Sequence, residues 1–275
     1  MNDPTMIALS RVLVEGKAHL ENACEVLHSD TPLSFWGGVD PLSGEVIDHT
    51  HPLRGQSVTG KILCIPSGRG SCTGSQVMLE LILNGMAPAA MVLTNFDTIL
   101  CTGAIIAEEV FGNETFDNVP LIVLVDEEDF EALGAMKFAS FERGQGGGSF
   151  MRLVAGSKNS FSLEENRNST EKLPQILSGG VAYELQLTQE EQDILAGKRG
   201  TAADQIALRT ICRIARITSS PRLIPVSQAH IDGCTYIGPG GLRFVKKLVE
   251  LGGKVTIPTT LNSVVSANIA SFISG

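Results

Sequence analysis

The 275-residue chain has no Cys-x-x-Cys pair; its six cysteines stand at 24, 64, 72, 101, 212 and 234. That spread excludes a disulfide-stapled scaffold and the closely spaced patterns of zinc or iron–sulfur ligation, and predicts reduced, mostly packed thiols. No lysine- or arginine-rich block occurs, and the net charge is −9 with a pI near 5.1, so nucleic acid and anionic lipid are not natural partners. Nothing approaches the ~20 apolar residues of a membrane span. Met1–Ser10 has neither a basic flank nor a sustained apolar core, which predicts a cytoplasmic protein without a secretory signal. What the chain does have is 43% hydrophobic residues, ample for a buried core at this length.

The most informative stretch is Lys61–Asn84, KILCIPSGRGSCTGSQVMLELILN. The apolar run Ile62–Ile65 leads into a turn with Pro66, Gly68 and Gly70. Hydroxyls at Ser71, Thr73 and Ser75 follow, and then a helical pattern, as where a strand feeds a helix N-terminus. The unpaired N–H groups and positive dipole end of a first helical turn make such a place an anion site. Arg69 adds a fixed positive charge.

Around this stretch the chain reads as parallel βα units. Ala8–Leu13 and Ala18–Leu20 read as edge strands, or as a strand and a turn. Phe35-Trp36-Gly37-Gly38 predicts an ordered loop that packs the single tryptophan. His49 and His51 read as part of a polar loop rather than as metal ligands, since no further ligand lies nearby. After the focal unit, Ala89–Leu93 predicts a buried strand, Ile99–Val110 a helix and Leu121–Val125 another strand. Asp126-Glu127-Glu128-Asp129 reads as a solvated helix start in preference to a cation site.

From Gly144 to Gly180 glycine-rich and polar stretches, interrupted at Phe150–Ala155, predict a linker. The domains expected are 1–150, a linker over 151–187, and a second segment over 188–275. In that segment Thr188-Gln189-Glu190-Glu191 is a capping box closed by Gly197. Helices are predicted over Thr201–Ile217 and Gly241–Leu251, and strands over Leu223–Val226 and Lys254–Ile257.

The glycine turn has several readings. Gly68, Gly70 and Gly74 give G-x-G-x-x-x-G, off the dinucleotide spacing, and no lysine completes a Walker loop. A serine capping a buried helix is the plain structural reading. The catalytic reading places a serine beside an arginine where backbone N–H groups stabilise an oxyanion, with a strongly lowered pKa needed before it could act as a base. No G-x-S-x-G elbow points to a hydrolase triad.

Several separate motifs, in order, resemble the aconitase X enzymes. Phe35–Asp40, Asp48 with His51-Pro52, Gly60–Leu63, Gly68-Arg69-Gly70-Ser71, Ala87–Ala90 and Gly103-Ala104 are similar to that family's small swivelling domain. Leu187-Thr188, Ala229–Cys234, Gly240-Gly241-Leu242 and Pro258–Asn262 resemble the opening of its large catalytic domain. The resemblance implies an α/β protein and a hydro-lyase in which the open iron of an iron–sulfur cluster binds the substrate hydroxyl as a Lewis acid. It implies Ser71 as the base that takes the proton from the neighbouring carbon. Arg69, Gly70 and Ser75, with His230, Asp232, Thr259, Thr260 and Asn262, are then the expected substrate contacts.

The family's substrates are a hydroxylated proline and mevalonate 5-phosphate. The fused layout and the lack of an extra basic cluster favour cis-3-hydroxy-L-proline. Beyond Asn262 the family continues through a long domain that carries the cluster cysteines, whereas this chain runs SVVSANIASFISG. The expectation is a truncated form that lacks cluster ligands, or a swivel protein that works with a separate large subunit. The apolar faces of Thr201–Ile217 and Gly241–Leu251 are then expected either exposed or packed on the first domain.

Overall fold

The computed structural model describes residues 6–16, 20, 23–112, 118–143, 149–154, 187–217 and 239–253. Eight strands form one sheet in the order β1-β10-β9-β3-β5-β7-β8-β2. Its centre is parallel: β3 (Cys24–His28), β5 (Ile62–Cys64), β7 (Ala90–Leu93) and β8 (Leu121–Leu124). Helices α1 (Gly74–Leu83), α2 (Thr98–Phe111) and α3 (Glu127–Gly134) follow the last three of these strands. Short apolar runs such as Ile62-Leu63-Cys64 are buried along their whole length, as strands covered on both faces must be.

Strand alternation divides the interior. Leu63, Met91 and Ile122 face one core, which they share with α1 and α2. Ile62, Cys64, Val92 and Val123 face another, closed by Phe130 and Leu133 of α3.

The sheet edges are antiparallel. β1 (Met6–Ala8) pairs with β10 (Ser149–Val154), which pairs with β9 (Phe138–Arg143) and so with β3. β2 (Arg11–Val14) closes the opposite edge on β8. The first apolar stretch is therefore two strands, one at each edge. Eight strands laid flat at ~4.8 Å spacing would put those edges about 34 Å apart. Ala8 and Arg11 are separated by three Cα steps, at most about 11 Å. The sheet has to curl until its edges meet, and the Ser10 N–H donates to Leu124 O at 2.8 Å.

Two expectations need correcting. Phe150–Ala155 is no interruption in a linker, since Ser149–Val154 is β10, so the boundary expected near 150 falls inside a strand. Trp36 is 47% exposed, and its neighbour Phe35 fills the core instead, at 1%.

In the second segment Thr188 caps α4 (Gln189–Leu195) with a reciprocal Glu191 box. α5 (Ala202–Ile217) and α6 (Pro239–Glu250) follow. α5 packs on α2, and α6 on α1. Ile206 joins the α1/α2 core, with Ile214, Ile217, Phe244 and Leu251 against it. Of the two outcomes expected for these helices, packing on the first unit is the one found. Arg209 Nε reaches Glu109 at 2.8 Å, Arg213 bonds both Glu108 and Glu109, and Arg243 Nη1 reaches Asn84 Oδ1 at 3.2 Å. The strands expected over Leu223–Val226 and Lys254–Ile257 lie outside the described residues. No helix of the described residues is long and apolar enough to cross a membrane.

Candidate active site

Between β5 and α1 the chain makes an extra pairing that the sequence pattern hides. Gly68–Arg69 forms β6, a two-residue strand parallel to β4 (Leu33–Ser34). Asp97 clamps it: Oδ2 accepts from Gly68 N–H at 2.8 Å, while Oδ1 caps α2 through Ile99 N–H at 2.9 Å and Leu100 N–H at 3.0 Å. A Cβ at position 68 would lie 2.5 Å from Asp97 Oδ2, so only glycine permits the approach. Gly70, at φ 100°, then turns the chain into the hydroxyl run.

The first helical turn is not the anion cradle. N–H groups of Gly74, Ser75 and Gln76 donate back to the carbonyls of Ser71, Cys72 and Thr73, at 2.9, 3.1 and 3.0 Å. Ser75 Oγ also donates to Cys72 O, at 2.8 Å, which closes the turn. The open donors come just before it. Among the described residues, the N–H groups of Gly70, Ser71 and Cys72 have no acceptor, and all three residues are exposed. Consecutive free N–H groups are the donors from which anion-binding turns are built.

Ser71 Oγ lies in the same exposed turn. It is 3.0 Å from Thr73 Oγ1 and accepts from Thr73 N–H at 3.3 Å. Arg69 Nη2 donates to Asp48 Oδ2 at 2.6 Å. Asp48 is itself fixed, since its Oδ1 accepts from Thr50 N–H at 2.9 Å and Thr50 Oγ1–H at 2.8 Å. These Thr50 bonds first, and Arg69 after them, hold the Asp48 carboxyl down at about 2. The pair aims Arg69 while leaving its other guanidinium N–H groups free of acceptors among the described residues.

Ser71, Arg69, Gly70 and Ser75 are thus brought together, whereas His230, Asp232, Thr259, Thr260 and Asn262 lie outside the described residues. Sequence reasoning named Thr73 and Asp48 without giving either a role, and missed Asp97. His51 is occupied structurally. Leu53 N–H donates to Nδ1 at 3.2 Å, so Nε2 carries the hydrogen and donates to Thr31 O at 2.9 Å. Asp126 is the N-cap of α3, accepting from Asp129 N–H at 2.9 Å.

The profile of the aconitase X swivel domain matches residues 8–147, which hold this turn, and that of the aconitase X first domain matches residues 184–270. The chain belongs to the aconitase X family. Aconitase X relatives named cis-3-hydroxy-L-proline dehydratase are similar over nearly all of it. That of Pseudomonas aeruginosa is 42% identical over 94% of this chain and 40% of that protein. That of Hypocrea jecorina is 41% identical over 91% of this chain and 39% of that protein. The chain therefore spans about two fifths of the length of these relatives. The phosphomevalonate dehydratase small subunit of Methanothermobacter thermautotrophicus is 50% identical over 35% of this chain and 71% of that protein.

The described cysteines do not fit a shared iron–sulfur cluster. Cys101 and Cys212 sit in two separate hydrophobic clusters, Cys64 in a third with Cys24 packed against it, and Cys72 stands exposed on the Ser71 turn; on β3 it is His28, four residues from Cys24, that lies opposite Cys64. Burial raises the thiols of Cys64, Cys101 (to about 12) and Cys212, away from the thiolate that a metal requires.

Proposed function

We propose that this chain supplies the proton-accepting side of an aconitase X hydro-lyase acting on a hydroxylated carboxylate, with Ser71 as base and cis-3-hydroxy-L-proline as substrate. The observation that carries the reading is the turn itself. It places an exposed serine hydroxyl among three unpaired N–H groups, beside an arginine that is fixed from behind by Asp48. The choice of substrate is supported by the two dehydratases of that name, which are similar over more than nine tenths of this chain.

In this mechanism the substrate carboxylate binds the free guanidinium N–H groups of Arg69 and the open N–H groups of the turn. Ser71 Oγ takes the proton from the carbon bearing the carboxylate. The C–H electron pair becomes the new double bond as the neighbouring C–O bond breaks. The departing hydroxide and the proton taken by Ser71 together make the eliminated water. A serine hydroxyl is far too weak an acid to be ionised unaided, so the fixed N–H dipoles and the Arg69 charge are what lower its pKa. His230, Asp232, Thr259, Thr260 and Asn262 are proposed as further substrate contacts. The cluster ligands are proposed to come from outside the described residues.

A second reading has a specific observation behind it. The archaeal small subunit is 50% identical to part of this chain, and its name implies a large partner. On that reading the chain is a swivel component that works with a separate large subunit, with mevalonate 5-phosphate as the alternative substrate.

The purified chain, combined with a reconstituted aconitase X large domain that carries the cluster cysteines and offered each substrate, distinguishes these. Dehydration of cis-3-hydroxy-L-proline that is lost in Ser71→Ala is the expected result. Dehydration of mevalonate 5-phosphate instead would change the substrate. Binding without turnover by the chain alone would assign the accessory role, and full turnover by Ser71→Ala would remove Ser71 as base.

A further inference from the structure

A threonine at a helix N-cap ordinarily spends its hydroxyl on the N–H groups of the first turn. Thr73 does not. It occupies the N-cap of α1 with φ −59° and ψ −19°, already helical, and its side chain makes no capping bond. The N–H groups it would have capped are satisfied by the backbone carbonyls of residues 71–73. Both polar hydrogens of Thr73 are therefore free for another acceptor, and Ser71 Oγ lies 3.0 Å from the hydroxyl and 3.3 Å from the N–H.

We propose that Thr73 is a positioning residue for Ser71, holding Oγ in its proton-accepting form by donating both its hydroxyl and its N–H to that oxygen; this rests on the reading of Ser71 as base. Hydrogen bonds to an ionised oxygen are about twice as strong as those between neutral groups, so the pair favours the alkoxide over the hydroxyl. Once Ser71 has taken a proton, the same 3.0 Å contact can reverse, with Ser71 donating to Thr73. The hydroxyl of Thr73 thus follows the protonation state of its neighbour without any movement of the backbone. If Thr73 only closed the loop, removing its hydroxyl would leave the ionisation of Ser71 unchanged.

The test uses the chain as it stands and needs no turnover. A small fluorophosphonate is applied between pH 6 and 10, and modification of Ser71 is read by peptide mass. Thr73→Val keeps the shape and the N–H but loses the hydroxyl; labelling is expected to slow about tenfold, with its pH midpoint about one unit higher, the size of one hydrogen bond to a charged group. Thr73→Ser should restore labelling to within about twofold, since it keeps both donors. Thr73→Ala gives the same reading as valine if the valine branch disturbs the turn. Labelling of Thr73→Val and Thr73→Ala at the wild-type rate and pH midpoint would overturn the role of Thr73 and leave the Ser71 base standing. Wild-type protein unlabelled at Ser71 at every pH would overturn the base reading itself, and this proposal with it.

Discussion

Asp48 Oδ2 and Arg69 Nη2 meet at 2.6 Å across 21 positions of sequence, and the carboxylate is locked by Thr50 before it meets the arginine. The cation beside the Ser71 turn is thus held in one direction by a carboxylate that is itself held by Thr50.

This pair sets a pH dependence. The Asp48 carboxyl is held at about 2 in the folded chain, below its ordinary value of about 3.9 when unfolded. A depressed carboxylate contributes stability that is complete above its unfolded pKa and is lost as pH falls through the folded one. The difference in thermal midpoint between wild type and Asp48→Asn should therefore be greatest above about pH 5 and shrink steadily toward pH 2. A difference independent of pH over that range would show that the ionised form of Asp48 is not what the fold uses.

Asp97 carries a larger structural load, because one carboxylate serves both a helix and a strand. Asp97→Ala removes the N-cap of α2, worth about 1 kcal/mol, and leaves the half-buried Gly68 N–H without an acceptor, at a further 1–3 kcal/mol or so. A total loss of about 2–4 kcal/mol in urea unfolding is expected. Asp97→Asn can keep the cap through its amide oxygen but presents N–H donors to Gly68 N–H, so it should fall between the two. Equal stability of the asparagine variant and wild type would mean that the Gly68 clamp contributes nothing.

Gly103 tests the helix pair that carries the site. A Cβ there would lie 2.3 Å from Ser75 O and 2.8 Å from Met78 Cβ, so α1 and α2 touch through a position that only glycine fits. Gly103→Ala gains about 1 kcal/mol of helix propensity but must push apart backbone that cannot yield cheaply. A net loss of about 1–3 kcal/mol is expected. The contact includes the Ser75 carbonyl, one turn from Ser71, so labelling of Ser71 should weaken as well. An unchanged melting temperature would mean that the helices separate freely.

The parallel core was legible because β5, β7 and β8 are buried on both faces and so read as unbroken apolar runs. The α4 capping box was legible because its two partners, Thr188 and Glu191, are three residues apart. The site was legible only in part. Ser71 and Arg69 stand together in sequence, but what fixes them does not: Asp48 lies 21 positions from Arg69 and Asp97 lies 29 from Gly68. β6 is two residues long, too short for any period to register. Trp36 and Phe35 are adjacent in sequence, and only the direction of the chain out of β4 decides which of them turns inward. The misplaced anion cradle has a similar cause, since the tight turn over residues 71–76 consumes N–H groups that helix rules leave free.

The second segment is held to the first by apolar contacts and by a charge cluster, which can be separated by experiment. Arg213 bonds Glu108 and Glu109, and Arg209 shares Glu109; the two glutamates are only 14% and 15% exposed. Burial pulls the Arg213 pKa down, but its hydrogen bonds and attraction to Glu108 and Glu109 outweigh that and raise it. Arg213→Ala leaves two adjacent carboxylates in a partly dry contact. The expected cost is about 1–3 kcal/mol, below that of a fully buried pair because part of the site is still wet. Hydrogen exchange should show α5 amides opening faster in this variant while β5, β7 and β8 keep their protection. High salt should produce a smaller shift in the wild type, as it screens exposed charges more than covered ones. If α5 exchanged as slowly in Arg213→Ala as in wild type, Ile206 and the apolar contacts of α5 with α2 would be sufficient to dock the segment, and the ion pairs would serve only to set its register.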